Sequence, residues 1–122
     1  MIIDSNILIY SALDEYKYLR AILINPQNSY SVITRIEVLG FKGITPAHEI
    51  YFKSIFSILK EIPLSETVVK KAIEIKQQKS MKLGDSIIAA TGLVNDLKIS
   101  TRNTSDFKNI PGLTAENPIV MP

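Results

Sequence analysis

The sequence predicts an α/β fold in which a small parallel sheet is flanked by helices in a three-layer arrangement. Short apolar or β-branched runs alternate with longer segments whose apolar residues recur at helical spacing. This alternation is typical of parallel sheets, because parallel neighbours need a crossover between them. The predicted strands are residues 1–3, 30–33 and 99–101, an edge strand at 61–64 and a last short strand within 114–120.

Residues with strong capping preferences mark the starts of several predicted helices. Asp14 is placed to cap a helix that ends near Leu23, and Thr34 to cap a helix that carries Glu37. Thr45 followed by proline is a typical helix start. The other predicted helices are residues 6–12, a helix capped by Ser65 with Val69, Ala72 and Ile73 as its buried stripe, and a helix that Asp85 opens and that has no further charge before Asp96.

Length and composition limit the class of protein. The chain has 122 residues, 46% of them apolar, so we expect one globular domain spanning residues 1–122. It has no cysteine, which excludes disulfides and thiolate metal ligands and favours a cytoplasmic protein. No segment reads as a signal peptide or a membrane span. The net charge of +2 permits a nucleic-acid partner without arguing for one.

Four acidic residues lie close to predicted strand ends or at a helix start: Asp4, Glu37, Asp85 and Asp106. In an open parallel sheet, such positions meet in one crevice at the carboxyl ends of the strands. Crowded carboxylates repel each other and need protons or a cation, and oxygen ligands suit Mg²⁺ or Mn²⁺. The four together therefore predict a metal-dependent site that cleaves phosphodiesters. Each acid taken alone is more typical of a helix cap, a turn or a solvated helix face than of a functional site.

The residues around the four acids form four segments. These are Ile3-Asp4-Ser5-Asn6, Thr34-Arg35-Ile36-Glu37, Asp85-Ser86-Ile87-Ile88-Ala89-Ala90 and Thr101-Arg102-Asn103-Thr104-Ser105-Asp106-Phe107. In this order and at this spacing they resemble the PIN domain family, and within it the VapC ribonuclease toxins of toxin–antitoxin pairs. The resemblance extends from Ile2 to Pro118, and its most specific part is the last segment.

The resemblance implies a PIN-like fold and an endoribonuclease that depends on Mg²⁺ or Mn²⁺. Asp4, Glu37, Asp85 and Asp106 match the family's metal-coordinating acids. Four further positions match polar residues of the same pocket: Ser5, Asn6, Thr101 and Asn103. The family often has threonine where this chain has Ser5, and serine keeps the hydroxyl.

The resemblance also implies three partners: an RNA substrate, a second copy of the chain in a homodimer, and a small cognate antitoxin. In similar toxins the antitoxin wraps a groove and can push a basic side chain into the acidic pocket. On apolar content alone, residues 6–24 and 46–59 are the candidate walls of that groove.

Several basic residues have no settled role in the sequence. Arg35 and Arg102 adjoin site segments, so either is a candidate for binding a substrate phosphate, although Arg35 also has acidic neighbours to pair with. Five lysines lie between Lys70 and Lys82 against one acid, which is typical of a solvated helix face or of a surface that tracks an RNA backbone. The single histidine, His48, lies in a predicted helix and is assigned a structural role.

Three other functions compete with the ribonuclease. A receiver-like phosphoacceptor domain needs an aspartate after its central strand and paired acids after its first, and Asp4 stands alone. A phosphatase with an Asp-x-Asp start needs a second aspartate where this chain has Asn6. A catalytically inactive PIN domain that serves as a binding module is the third alternative, and the presence of all four acids argues against it.

Overall fold

The computed structural model describes residues 1–120 and contains a sheet of five parallel strands. They are β1 (Ile2–Ile3), β2 (Ser29–Ser31), β3 (Lys60–Ile62), β4 (Ile99–Ser100) and β5 (Ala115–Glu116). Their spatial order is β3-β2-β1-β4-β5, which places β3 at an edge as predicted. The predicted α/β class with a parallel sheet is therefore confirmed.

Six α-helices and two 3-10 helices connect the strands within residues 1–120. The α-helices are α1 (Ser5–Ser11), α2 (Arg20–Leu23), α3 (Val32–Leu39), α4 (Pro46–Ile58), α5 (Glu66–Gln78) and α6 (Leu83–Asn95), and the 3-10 helices are Asp14–Leu19 and Thr104–Phe107. Thr45 and Ser65 cap α4 and α5 as predicted, since each side-chain oxygen accepts a backbone N–H of the first turn.

Two predicted caps are wrong. Ser31, and not Thr34, caps α3, because its hydroxyl accepts the N–H of Ile33 and the helix begins at Val32. The second strand therefore ends two residues earlier than predicted, and Thr34 is fully buried inside the helix. Asp14 lies within the first turn of a 3-10 helix whose cap position is Leu13, which has no side-chain oxygen to offer.

The helices α5 and α6 pack against each other and differ from their predictions in register. The buried stripe of α5 is Val68, Ala72 and Ile75, whereas the predicted Ile73 is 53% exposed. The spacing of four and then three residues is that of one helix face. Helix α6 begins at Leu83, so that Asp85 lies in its first turn and does not open it.

The sheet has a hydrophobic core on each face. Ile2 packs with α5, α6 and Phe107 on one side, whereas Ile3 packs with α1, α3 and α4 on the other. Successive residues of a strand point to opposite faces, so the two isoleucines of β1 serve both cores. This arrangement gives the three predicted layers.

The order of the strands creates a crevice beside β1. The chain proceeds from β1 outward to β2 and β3, and later returns to place β4 on the other side of β1. Such a switch point opens a crevice at the carboxyl ends of the strands. Helix α6 leads into β4, and its first turn therefore stands at that same end of the sheet.

Candidate active site

A cavity of about 270 Å³ at the carboxyl end of the sheet is lined by all four predicted acids. Asp4 follows β1, Glu37 belongs to α3, Asp85 to the first turn of α6, and Asp106 to the 3-10 helix after β4. We call this cavity the acidic pocket. Ser5, Asn6 and Asn103 also line it, so three of the four predicted supporting residues lie at its surface.

Asp4 is the most firmly held of the four acids. Its side chain is 7% exposed and caps α1 by accepting the N–H of Ser5 at 2.8 Å. Its other carboxylate oxygen accepts hydrogen bonds from the hydroxyl of Thr101 at 2.8 Å and from the side-chain amide of Asn6 at 3.4 Å. Buried polar groups need such partners, because a buried carboxylate without them is costly. These bonds fix the direction in which Asp4 faces the pocket.

Thr101, the fourth predicted supporting residue, lies beneath the pocket and has no exposed surface. Its hydroxyl accepts the amide of Asn6 at 3.3 Å and the backbone N–H of Asn103 at 3.1 Å. Asn6 in turn accepts the N–H of Arg102 at 3.0 Å through its carbonyl oxygen. The segment after β4 is thereby tied to the start of α1, and this network orients Asp4.

Glu37 reaches the pocket from the side of α3. Its carboxylate accepts the hydroxyl of Ser5 at 2.7 Å. The first turn of α6 comes close to it, since a Cβ atom on Gly84 would lie only 3.3 Å from a Glu37 oxygen. A residue without a side chain at position 84 therefore allows α3 and α6 to bring Glu37 and Asp85 into one pocket.

The electrostatics of the pocket favour added positive charge. Burial raises the pKa of Asp4 above its ordinary value, and the charges of Asp85 and Glu37 raise it further, while its hydrogen bonds from Thr101 and Ser5 act in the opposite direction. Burial also raises the pKa of Asp85, as do Asp106 and Glu37, while Lys82 lowers it. The charged form of each of these two acids is thus destabilised, first by burial and then by neighbouring carboxylates.

The donor set of the pocket fits a hard divalent cation. Among residues 1–120, no group of three or more His, Cys, Asp or Glu side chains is arranged to hold a metal ion directly. Mg²⁺ commonly keeps several waters and uses one or two carboxylates together with substrate phosphates, so it does not require such a cage. Carboxylate, hydroxyl and amide oxygens that line one cavity meet that need.

Similar solved structures identify the family of this chain. One chain of a toxin–antitoxin complex from Klebsiella pneumoniae is 34% identical with a TM-score of 0.74, over 93% of this chain and 94% of that one. The chain belongs to the VapC-like family of PIN domains. No protein-family profile and no curated protein matches it.

Two more distant structures share the fold of this VapC-like PIN domain. DNA-bound VapBC from Salmonella typhimurium aligns with a TM-score of 0.81 at 20% identity, over 95% of this chain and 96% of that one. VapBC2 from Rickettsia felis, bound to a promoter DNA fragment, aligns with a TM-score of 0.76 at 22% identity and the same two coverages. The PIN-like fold predicted from the four acidic segments is therefore confirmed.

The basic and histidine residues of this VapC-like chain lie in different places. Arg35 pairs with Glu61 at the sheet edge, at 2.5 and 3.3 Å, and does not line the acidic pocket. The guanidinium of Arg102 lies 5.3 Å from the centre of the Tyr10 ring. A phosphate-binding role for either arginine stays a prediction. Lys82, which directly precedes α6, lines the pocket, although in the sequence it stands out only as the end of a basic stretch.

An apolar groove of about 210 Å³ lies beside the acidic pocket of this VapC-like domain. Its walls come from α1, α3, α4 and the loop before α4, and include Leu13, Val38, Phe41 and Phe52. Helices α1 and α4 lie within residues 6–24 and 46–59, which were predicted as walls of the antitoxin groove, whereas α3 was not predicted as a wall. Ile9 lines both the groove and the acidic pocket, so the two are adjacent. His48 lines the groove and does not line the acidic pocket.

None of the helices within residues 1–120 combines the length and apolar character that crossing a bilayer requires.

Proposed function

We propose that this chain is a metal-dependent endoribonuclease and the toxin of a VapBC-like toxin–antitoxin pair. The observation that carries the proposal is the convergence of four carboxylates from four separate elements on one pocket. Their mutual repulsion is the signature of a site built for a cation. The 34% identity to a chain of a toxin–antitoxin complex supports the toxin assignment.

Each acid has a role that follows from its surroundings. Asp4 and Asp85 are the core ligands for Mg²⁺ or Mn²⁺, because burial and neighbouring charge make a cation most valuable there. The more exposed Glu37 and Asp106 serve as further ligands or orient the attacking water. A bound divalent ion lowers the pKa of water and offsets the charge of a phosphodiester. Ser5, Asn6, Thr101 and Asn103 hold the acids in place, and the cleaved substrate is RNA.

The test is cleavage of a labelled single-stranded RNA by purified protein, with Mg²⁺, with Mn²⁺ and with EDTA. Cleavage should require the metal. Asp85→Asn should lower the rate about 100-fold or more, since losing several kcal/mol of charge stabilisation has that effect. Asp14→Asn is the matched control, because Asp14 is an exposed aspartate outside the pocket. Equal cleavage rates for Asp85→Asn and Asp14→Asn would contradict the assignment of Asp85 as a metal ligand.

The same assay separates the competing functions. An inactive PIN domain would bind RNA but release no products under any metal condition. A receiver-like domain is not favoured by the topology. The central strand is β1, which is also the first, so its single acid, Asp4, would have to serve both as the phosphoacceptor and as the paired acids. Asn6 donates its amide to Asp4 and is no substitute for the second aspartate of a phosphatase.

The apolar groove supports a cognate antitoxin as the regulating partner. Its lining is mostly apolar and includes Phe41, whose side chain is 62% exposed in the free chain. A segment with apolar side chains would bury this surface, and the shared residue Ile9 brings the same segment to the mouth of the acidic pocket. There a basic side chain would meet four carboxylates. The homodimer and the cytoplasmic location complete the proposal. The homodimer rests on the resemblance alone, and the cytoplasmic location on the absence of cysteine.

A further inference from the structure

A second cleft, of about 570 Å³, opens directly from the acidic pocket. It is lined by the connection between α5 and α6, from Lys79 to Lys82, and by Ser105. Lys82, Asp85 and Asp106 line both cavities, so they form a shared border. We call the second cavity the lysine cleft.

Two lysines of this cleft are the only basic side chains that line either cavity among residues 1–120. Lys82 stands at the border, and Lys79 lies farther along the cleft. The ammonium group of Lys79 donates to the carbonyl oxygen of Lys108, and that of Lys76 donates to the carbonyl oxygen of Met81 at 3.0 Å. These bonds hold the connection in place. Each ammonium has three donors, so Lys79 keeps two for a ligand.

The charges of the two cavities suit different parts of one anionic strand. The acidic pocket repels phosphate wherever no metal offsets its carboxylates. The lysine cleft has two ammonium groups and the hydroxyls of Ser80 and Ser105, and its two carboxylates, Asp85 and Asp106, stand at the border that it shares with the acidic pocket. Arg35 offers no equivalent on the opposite side, because it is engaged by Glu61. Arg102 lines neither cavity, so among the residues that line them the cationic contacts all lie in the lysine cleft and at its border.

We propose that the lysine cleft binds the RNA backbone next to the cleaved bond, with Lys79 and Lys82 each contacting a neighbouring phosphate. This inference rests on the proposed function for the identity of the substrate and adds the path that the substrate follows. It also assigns a role to the end of the lysine-rich stretch between Lys70 and Lys82. Lys82, at the border of both cavities, positions the RNA strand, and Lys79 extends the contact along the RNA backbone.

The test measures RNA binding separately from cleavage. A fluorescein-labelled single-stranded RNA of 12 nucleotides is titrated with the Asp4→Asn protein in EDTA, and anisotropy is recorded from 0.05 to 0.3 M KCl. Removing two phosphate contacts should lower the slope of log K against log salt by about 1.4, because a single strand contributes about 0.7 per contact. The Lys79→Ala/Lys82→Ala double variant should therefore bind about 25-fold more weakly at 0.1 M salt, relative to a 1 M reference.

The matched control is the double variant Lys70→Ala/Lys98→Ala. It removes the same charge from two exposed lysines that line neither cavity. It should change the affinity less than 3-fold, and Lys79→Arg/Lys82→Arg should restore most of the binding. Equal losses in the two alanine double variants would show a general charge effect and overturn the proposal, as would unchanged binding in Lys79→Ala/Lys82→Ala. If RNA binds through this cleft but the parent protein cleaves no RNA with Mg²⁺ or Mn²⁺, the proposed ribonuclease activity is refuted and the proposed RNA path is not.

Discussion

The hydroxyl of Thr101 donates a 2.8 Å hydrogen bond to the carboxylate of Asp4, and this bond joins the end of β4 to the end of β1. Both residues are buried, and the same hydroxyl accepts hydrogen bonds from Asn6 and Asn103. One oxygen atom thus organises the polar floor of the acidic pocket. A charged hydrogen bond of this kind is stronger than a neutral one and fixes the direction of the carboxylate.

Replacing Thr101 by valine should destabilise the fold and the site together. Valine keeps the volume but leaves the Asp4 carboxylate and two donors without their partner. The free energy of unfolding should fall by about 1–3 kcal/mol, measured by urea denaturation. The pKa of Asp4, followed by carboxyl NMR, should rise further, because the lost hydrogen bond favours the charged form. Thr101→Ser keeps the hydroxyl and should leave that pKa in place, and an equal rise in both variants would contradict the assignment.

The sequence predicted most of the elements because their signals are local. Thr45 and Ser65 cap helices through bonds to residues three positions away, and such bonds are encoded in the immediate neighbourhood. Ser31 was missed because it competes with Thr34 for the same helix start. The choice depends on β2 pairing with β1 and β3, which no local pattern specifies.

The four acids were found because strand ends converge in any parallel sheet, whatever the strand order. Lys82 and Gly84 were missed as pocket residues for the opposite reason. Gly84 matters only because α3 brings Glu37 against it, and Lys82 matters only because the lysine cleft opens into the pocket. The available signal was their position within three residues before Asp85. Residues at the start of a helix commonly line the same cavity as the side chains of its first turn.

Without divalent metal, the protein should lose stability as the pH rises from acid toward neutral. The folded-state pKa values of Asp4 and Asp85 are raised above the ordinary 3.8, so the folded state holds these protons more tightly than the unfolded state. This stabilisation is fully present below 3.8 and is lost as the pH rises through the raised values.

Asp85→Asn should therefore show a smaller loss of Tm than the parent between pH 4 and pH 7 in EDTA, and a Tm at pH 7 no lower than that of the parent. Differential scanning calorimetry provides the measurement. Asp14→Asn should follow the parent, since it leaves the pocket intact. A parallel pH dependence of Tm in the parent and Asp85→Asn would show that the pKa of Asp85 is not raised in the folded state.

Adding Mn²⁺ at pH 7 should stabilise the parent, because an ion that binds only the folded state shifts the unfolding equilibrium by mass action. The expected gain is about 1.4 kcal/mol at ten times the Kd and about 2.7 kcal/mol at one hundred times the Kd. Asp85→Asn should gain much less at the same concentration, and Asp14→Asn should gain as much as the parent. Thermal unfolding over a Mn²⁺ series tests this without any RNA, and an equal gain in all three proteins would place the ion elsewhere.

Phe41→Ser should weaken binding of the proposed antitoxin while leaving the free chain stable. The Phe41 side chain lines the apolar groove and is 62% exposed, so its removal costs the free chain little. A partner that covers it would lose about 1.5–3 kcal/mol, which is about 10-fold to 100-fold in Kd. The measurement is titration calorimetry with the purified cognate antitoxin. Ile50→Ser is the matched control, because Ile50 is 72% exposed on α4 but does not line the groove. Equal affinities for Phe41→Ser and Ile50→Ser would mean that the antitoxin approaches the acidic pocket by another route.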